Sequence, residues 1–115
     1  MTERDDVAGD VTAEQAHAMR AEVQLLDVRE VPEWVAGHIE GAVHVPMHQL
    51  NAAQDQLSTD RTIVCVCRSG QRSAAVAQAL SRAGYDAVNL LGGMHAWHLA
   101  GLAYVAEGDH DPYVA

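Results

Sequence analysis

The chain is 115 residues long and nearly half apolar, which is enough for one domain around one core. Sixteen acids against seven bases leave a net charge of −9, and every base is an arginine. That balance argues against nucleic acid or an anionic membrane as a partner, and no apolar run reaches membrane-spanning length. Two cysteines, Cys65 and Cys67, are too few for a disulfide framework, and their spacing strains a bridge between them. A reduced, cytoplasmic protein is therefore expected. Met1 to Asp6 is acidic and lacks the apolar core of a signal peptide.

In chain order, residues 1–9 are polar and predict a flexible N-terminal segment. Val11-Thr12 reads as a short strand. Thr12-Ala13-Glu14-Gln15 is a capping-box pattern and opens a helix to about Arg20. Val23 to Val28 reads as a strand. Pro32 starts a short helix through Val35, and Gly37 stops it. Ala42 to Val45 is a short strand stopped by Pro46, and residues 47–57 are expected to be helical, with Leu50 and Leu57 at helical spacing. Thr62 to Val66 is a continuous β-branched and apolar run, the pattern of a strand buried on both faces. Gln71 to Ala83 carries an apolar stripe of Ala75, Val76, Ala79, Leu80 and Ala83, and Gly84 follows as a stop. Ala87 to Leu91 is a second buried strand, broken by Gly92-Gly93, and Met94 to Ala100 is the last helix. Residues 107–115 form an acidic tail, expected to be loose. Strands alternate with helices, so the expected fold is α/β with a mainly parallel sheet of about five strands flanked by helices on both faces.

One stretch stands apart. Cys67-Arg68-Ser69-Gly70-Gln71-Arg72-Ser73 lies between the buried strand and the longest helix. A thiol at a strand-to-helix turn meets backbone N–H groups that have no intrahelical partner, and such turns bind anions. Arg68 and Arg72 add positive charge on an acidic molecule. Both effects favour the thiolate, which is the nucleophilic form. Sites in open α/β sheets lie beyond the carboxyl ends of strands, and Asp27 and Cys67 both fall at such ends.

Three ordered stretches resemble the rhodanese family of sulfurtransferases. They are Leu25-Leu26-Asp27-Val28-Arg29-Glu30 with Glu33-Trp34, Gly37 to Ala42 and Val45-Pro46; the Cys67 to Ser73 loop; and Leu90-Leu91-Gly92-Gly93-Met94-His95-Ala96-Trp97. Between them they cover residues 11–103, within a domain placed at 10–106. Glu40 and Trp34 stand where the family commonly has Pro and Tyr or Phe. The resemblance implies that a small anionic donor such as thiosulfate gives its outer sulfur to Cys67. The persulfide then passes that sulfur to cyanide or to a thiol, including a protein thiol. It implies backbone N–H groups of residues 68–73 around the sulfur, hydroxyls from Ser69 and Ser73, and a tight turn at Gly70. Arg68 and Arg72 would meet the donor, with Gln71 lining the loop and Asp27 and Arg29 as supporting residues. No cofactor is implied. Related phosphatases and arsenate reductases use a longer Cys-x5-Arg loop, whereas Cys67 to Arg72 is Cys-x4-Arg. That difference favours sulfur over phosphate as the guest. A regulatory module that docks a partner is the remaining alternative, although such modules often lose the cysteine.

Other residues have plainer readings. Cys65 sits inside an apolar strand and reads as core. Arg72 stands at a helix start, where a cation opposes the dipole, so a bound anion is expected to compensate it. Asp27 and Arg29 read as an ion pair or loop brace. The seven histidines lack a third ligand at metal-binding spacing.

Overall fold

The computed structural model describes residues 9–115. Of the expected flexible segment 1–9, residues 1–8 lie outside that range. Five strands form one sheet: β1 (Asp10–Val11), β2 (Gln24–Asp27), β3 (Val43–His44), β4 (Ile63–Val66) and β5 (Ala87–Leu90). Their spatial order is β1-β5-β4-β2-β3, and every pairing is parallel. Helices α1 (Ala13–Ala18), α2 (Val31–Ala36), α3 (Gln71–Arg82) and α4 (Gly93–Leu99) connect them.

The period-two alternation of a strand divides the core in two. From β4, Ile63 and Cys65 join Val76, Ala77 and Leu80 of α3 on one face. Val64 and Val66 point to the other face, against Ala13 and Ala16 of α1 and Met94 and Trp97 of α4. Helices thus cover both faces, and all four residues of β4 are fully buried. This double burial explains why β4 is apolar at successive positions.

Local signals place the helix ends. Gln15 N donates to Thr12 Oγ1 at 3.1 Å and Thr12 N to Gln15 Oε1 at 2.9 Å, which closes the capping box of α1. Gly84 takes φ +100° just past α3. Two expectations need correction. Residues 47–57 are not α-helical: Met47–Gln56 is a 3₁₀ stretch kinked at Ala53. Half-buried Leu50 and buried Ala53 are three residues apart, which suits the three-residue turn of a 3₁₀ helix. The tail is not loose either. Glu107 N donates to Val35 O and Tyr113 N to Ala36 O, each at 3.0 Å, and Val114 packs on the α1/α4 core. His38 and Val105 form an antiparallel bridge that starts this return path. Among the described residues no helix is long and apolar enough to cross a membrane.

Candidate active site

β2 and β4 are neighbours at the centre of the sheet, yet their chains leave in opposite directions, β2 toward β3 and β4 toward β5. The carboxyl ends of these two strands therefore border the crevice where such sheets bind ligands. Asp27 ends β2, and Cys67 follows Val66 of β4. Asp27 and Val66 are register partners, so the two predicted positions are brought together.

Inside β4 the amides are committed to the ladder. Past Val66 the chain turns, and the amides turn inward on the sulfur. Gly70 N donates to Cys67 Sγ at 3.1 Å and Ser73 N at 3.3 Å. The Ser73 hydroxyl oxygen lies 3.2 Å from the same sulfur. Gly70 reaches this geometry with φ +100°, a left-handed conformation that glycine adopts without a steric cost. Burial pushes the Cys67 thiol up, but the Ser73 hydroxyl and the N–H groups of Ser73, Gly70 and Ser69 outweigh it, and the net shift is downward. The loop thus favours thiolate mainly through hydrogen bonds.

The outside of the loop is held by α4. Met94 N donates to Cys67 O at 2.8 Å and His95 N to Arg68 O at 2.9 Å. These are amides of the first turn of α4, which have no intrahelical partner. The approach is so close that a Cβ on Gly93 would lie 2.3 Å from Cys67 O and 2.6 Å from Arg68 O. In the sequence Gly92-Gly93 only breaks a strand; the fold makes Gly93 the wall against which the Cys67 loop rests.

Arg68 and Arg72 both make contacts to protein groups. Neither is a free cation turned on the sulfur. Arg72 makes a two-pronged ion pair with Glu33 of α2, Nη1 to Oε1 at 2.9 Å and Nη2 to Oε2 at 2.8 Å. The carboxylate beside Arg72 is therefore the protein's own Glu33 and not the bound anion expected from the sequence. Arg72 holds the Glu33 carboxyl below the usual carboxylate range, against a smaller opposing effect of burial. Arg68 is exposed on the rim, and its Nε donates to the main-chain oxygen of Ala115 at 2.9 Å. Ser69 and Gln71 are also exposed there.

Asp27 and Arg29 form a buried ion pair below the loop. Arg29 Nη2 donates to Asp27 Oδ2 and to Gly37 O, each at 2.7 Å. Arg29 Nε donates to Asp27 Oδ1 at 2.9 Å. Both side chains are essentially inaccessible, so the pair braces the β2 end against the α2 end. Trp34 is stacked between the rings of His38 and His44, with centroids 3.5 and 4.6 Å away. Among the described residues no group of three His, Cys, Asp or Glu side chains is arranged to hold a metal.

Sequence reasoning missed Asn89 as a site residue. It lies on β5 beside Cys65, is buried, and donates from Nδ2 to Gly70 O at 3.0 Å. A polar side chain inside Ala87 to Leu91, a strand buried on both faces, was the available signal, because such a group must find a partner.

Comparison with known proteins agrees with this architecture. The Rhodanese-like domain profile matches residues 12–100. YtwF, a sulfurtransferase-named protein of Bacillus subtilis (strain 168), is 42% identical over 76 residues, covering 66% of this chain and 74% of its own. A protein named sulfurtransferase from Allochromatium vinosum is 40% identical over 86 residues, covering 74% and 80%. The crystal structure of a rhodanese-related protein from Thermoplasma volcanium superposes with a TM-score of 0.81 at 30% identity, covering 85% of this chain and 98% of that one. With a thiol cradle at the central strand end and this match across most of its length, the chain belongs to the rhodanese-like domain family.

Proposed function

We propose that this protein is a sulfurtransferase in which Cys67 carries the transferred sulfur as a persulfide. The thiolate attacks the outer sulfur of a thiosulfate-type donor. A new S–S bond forms at Cys67, the donor's S–S bond breaks, and sulfite leaves with the electron pair. An acceptor, cyanide or the thiolate of a small molecule or protein, then attacks the outer sulfur, and the Cys67 thiolate is released. Little proton movement is involved, so no general base is required.

The observation that carries this reading is the donor set converging on Cys67 Sγ: two backbone N–H groups and the Ser73 hydroxyl within 3.3 Å. When Cys67 is a thiolate or a persulfide, these groups stabilise its negative charge without any rearrangement of water. Arg68, on the rim, meets the incoming anion, while Arg72 and Glu33 hold α2 against the loop. The compact ring of donors suits one sulfur atom, and the commitment of Arg72 to Glu33 withholds a cation that a phosphate ester would need. The sulfurtransferase-named relatives support the same chemistry.

Intact-protein mass spectrometry before and after thiosulfate tests the proposal. The wild type and Cys65→Ser gain one sulfur atom, which cyanide or a thiol removes, and Cys67→Ser does not. A folded, reduced wild type that gains nothing from thiosulfate or from a thiol persulfide overturns it.

A further inference from the structure

One hydroxyl in the loop touches two groups that both call on it. Ser73 Oγ lies 3.2 Å from Cys67 Sγ and 2.5 Å from Asn89 Oδ1. A serine hydroxyl has one hydrogen and can donate to only one of them. The orientation of the Asn89 amide decides which. Its nitrogen faces Gly70 O at 3.0 Å and Asp10 Oδ1 at 3.4 Å, and both of these oxygens only accept. The amide NH₂ must therefore point to them, and Oδ1 must point to Ser73. Oδ1 cannot donate, so the close contact requires that Ser73 give it the hydrogen. Cys67 then meets the hydroxyl oxygen as a donor, that is, as the neutral thiol with S–H directed at Oγ.

Once Cys67 loses its proton the arrangement is frustrated. A thiolate, like an outer persulfide sulfur, has no hydrogen to give, and it faces a hydroxyl lone pair. The hydroxyl must turn its hydrogen from Asn89 to sulfur, leaving Asn89 Oδ1, which is buried, without that donor. We propose that Asn89 is a positioning residue that competes with Cys67 for the Ser73 hydrogen, so that ionisation of Cys67 is coupled to rotation of that hydroxyl. While Ser73 donates to Asn89, that hydrogen is withheld from the sulfur and Cys67 is biased toward the thiol. In the charged state Ser73 is released to the sulfur, while Asn89 Nδ2 keeps Gly70 in place. The proton leaves to water, and no covalent bond other than S–H changes.

The charged and titratable groups around this triangle come from several elements. They are Asp10 on β1, Asp27 and Arg29 at the β2 end, Glu33 on α2, Cys65 on β4, Arg68 in the loop, Arg72 on α3 and His95 on α4. None of them hydrogen-bonds to Ser73 Oγ among the described residues, and none is substituted in the variants below; Asp10, which loses the Asn89 amide, loses it equally in the Ser73→Ala background.

The inference rests on Cys67 being the reactive thiol, and its test reads ionisation rather than sulfur transfer. The rate of Cys67 alkylation by iodoacetamide is followed by mass spectrometry across pH, which gives the thiol midpoint. Ser73→Ala, which removes the donor, raises the midpoint by about one pH unit. Asn89→Leu, which removes the competitor, lowers it by about half a pH unit, a roughly threefold gain in thiolate below the midpoint. In the Ser73→Ala background Asn89→Leu has no further effect. If Asn89→Leu does not fold, Asn89→Ser, which deletes the amide oxygen and keeps the position polar, carries the same expectations. A midpoint that rises or stays put in the Asn89 variant overturns the proposal, as does a shift of equal size with Ser73 absent. Either result would make Asn89 a structural anchor of Gly70 alone. Loss of sulfur transfer with the expected midpoints would count against the proposed reaction and leave this inference standing.

Discussion

Cys65 and Cys67 are two residues apart, lie on the same face of the sheet, and are equally hidden from solvent at 0% and 1% exposure. Their thiols are nevertheless displaced in opposite directions. Burial and the neighbouring Cys67 push Cys65 up to about 12. Cys67 is also raised by burial, but hydrogen bonds bring it below the ordinary thiol value. Burial alone therefore does not set reactivity. Inside β4 each N–H is used by the ladder and the sulfur sees hydrocarbon. One residue past the strand the amides are free to converge, and the fold supplies a wall, Gly93, that keeps them converged.

The strongest way to break this contrast is to move the wall. Gly93→Ala places a Cβ 2.3 Å from Cys67 O at a residue with φ +59°. The turn must shift while β4 stays paired, so sulfur loading should fall by about 100-fold or more, in line with misplacement of reacting groups. Single-turnover loading followed by mass measures this, and circular dichroism checks that the sheet survives. Next is the brace beneath the loop. Arg29→Met leaves the Asp27 carboxylate buried without its partner, and chemical denaturation should show a loss of about 3–5 kcal/mol.

Glu33→Gln sharpens the contrast more gently. Glu33 is held below its ordinary carboxyl range, so its pair contributes stability above that range and loses it as pH falls through the depressed value. The variant should flatten the acid limb of the stability curve. At neutral pH the change should be about 1 kcal/mol or less, since Arg72 is more than a third exposed. Freed from Glu33, Arg72 should also lower KM for an anionic donor.

The smallest neutral-pH effect belongs to Cys65→Val, a near-isosteric core change that should leave loading intact and alter stability by about 1 kcal/mol or less. Its signature lies at high pH. Cys65 has a raised folded value, so its contribution is complete below the ordinary thiol value of 9.0 and is lost as pH rises toward about 12. The wild type should lose stability across that interval more steeply than Cys65→Val in denaturation at fixed alkaline pH.

The sequence expectations that held are those with a local physical cause. Thr62 to Val66 and Gln71 to Ala83 match β4 and α3 within one residue, because burial on both faces and the helical stripe leave periodic marks. The capping box at Thr12 and Gln15 is a contact across three residues. Where expectation failed, the deciding contact was distant. Arg72 reads as a cation compensated by a bound anion until Glu33, 39 residues away in the chain, is brought beside it. The tail reads as solvated acid until Tyr113 and Val114 find α2 and the core. Residues 47–57 contain good helix formers, yet Met47–Gln56 takes a 3₁₀ path that sets Leu50 and Ala53 against the core.

By itself the sequence determined the alternation of strands and helices, the place of the Cys67 thiol at a strand end, and its short Cys-x4-Arg loop, since these follow from residue spacing along a few turns of chain. Only the tertiary structure decided which groups face that thiol. Ser73 reaches Asn89 across 16 residues, and α4 reaches the Cys67 carbonyl from across the sheet. Hydrogen bonds act over about 3 Å in space regardless of separation in sequence, so the charge on one sulfur is settled by neighbours that no local pattern announces.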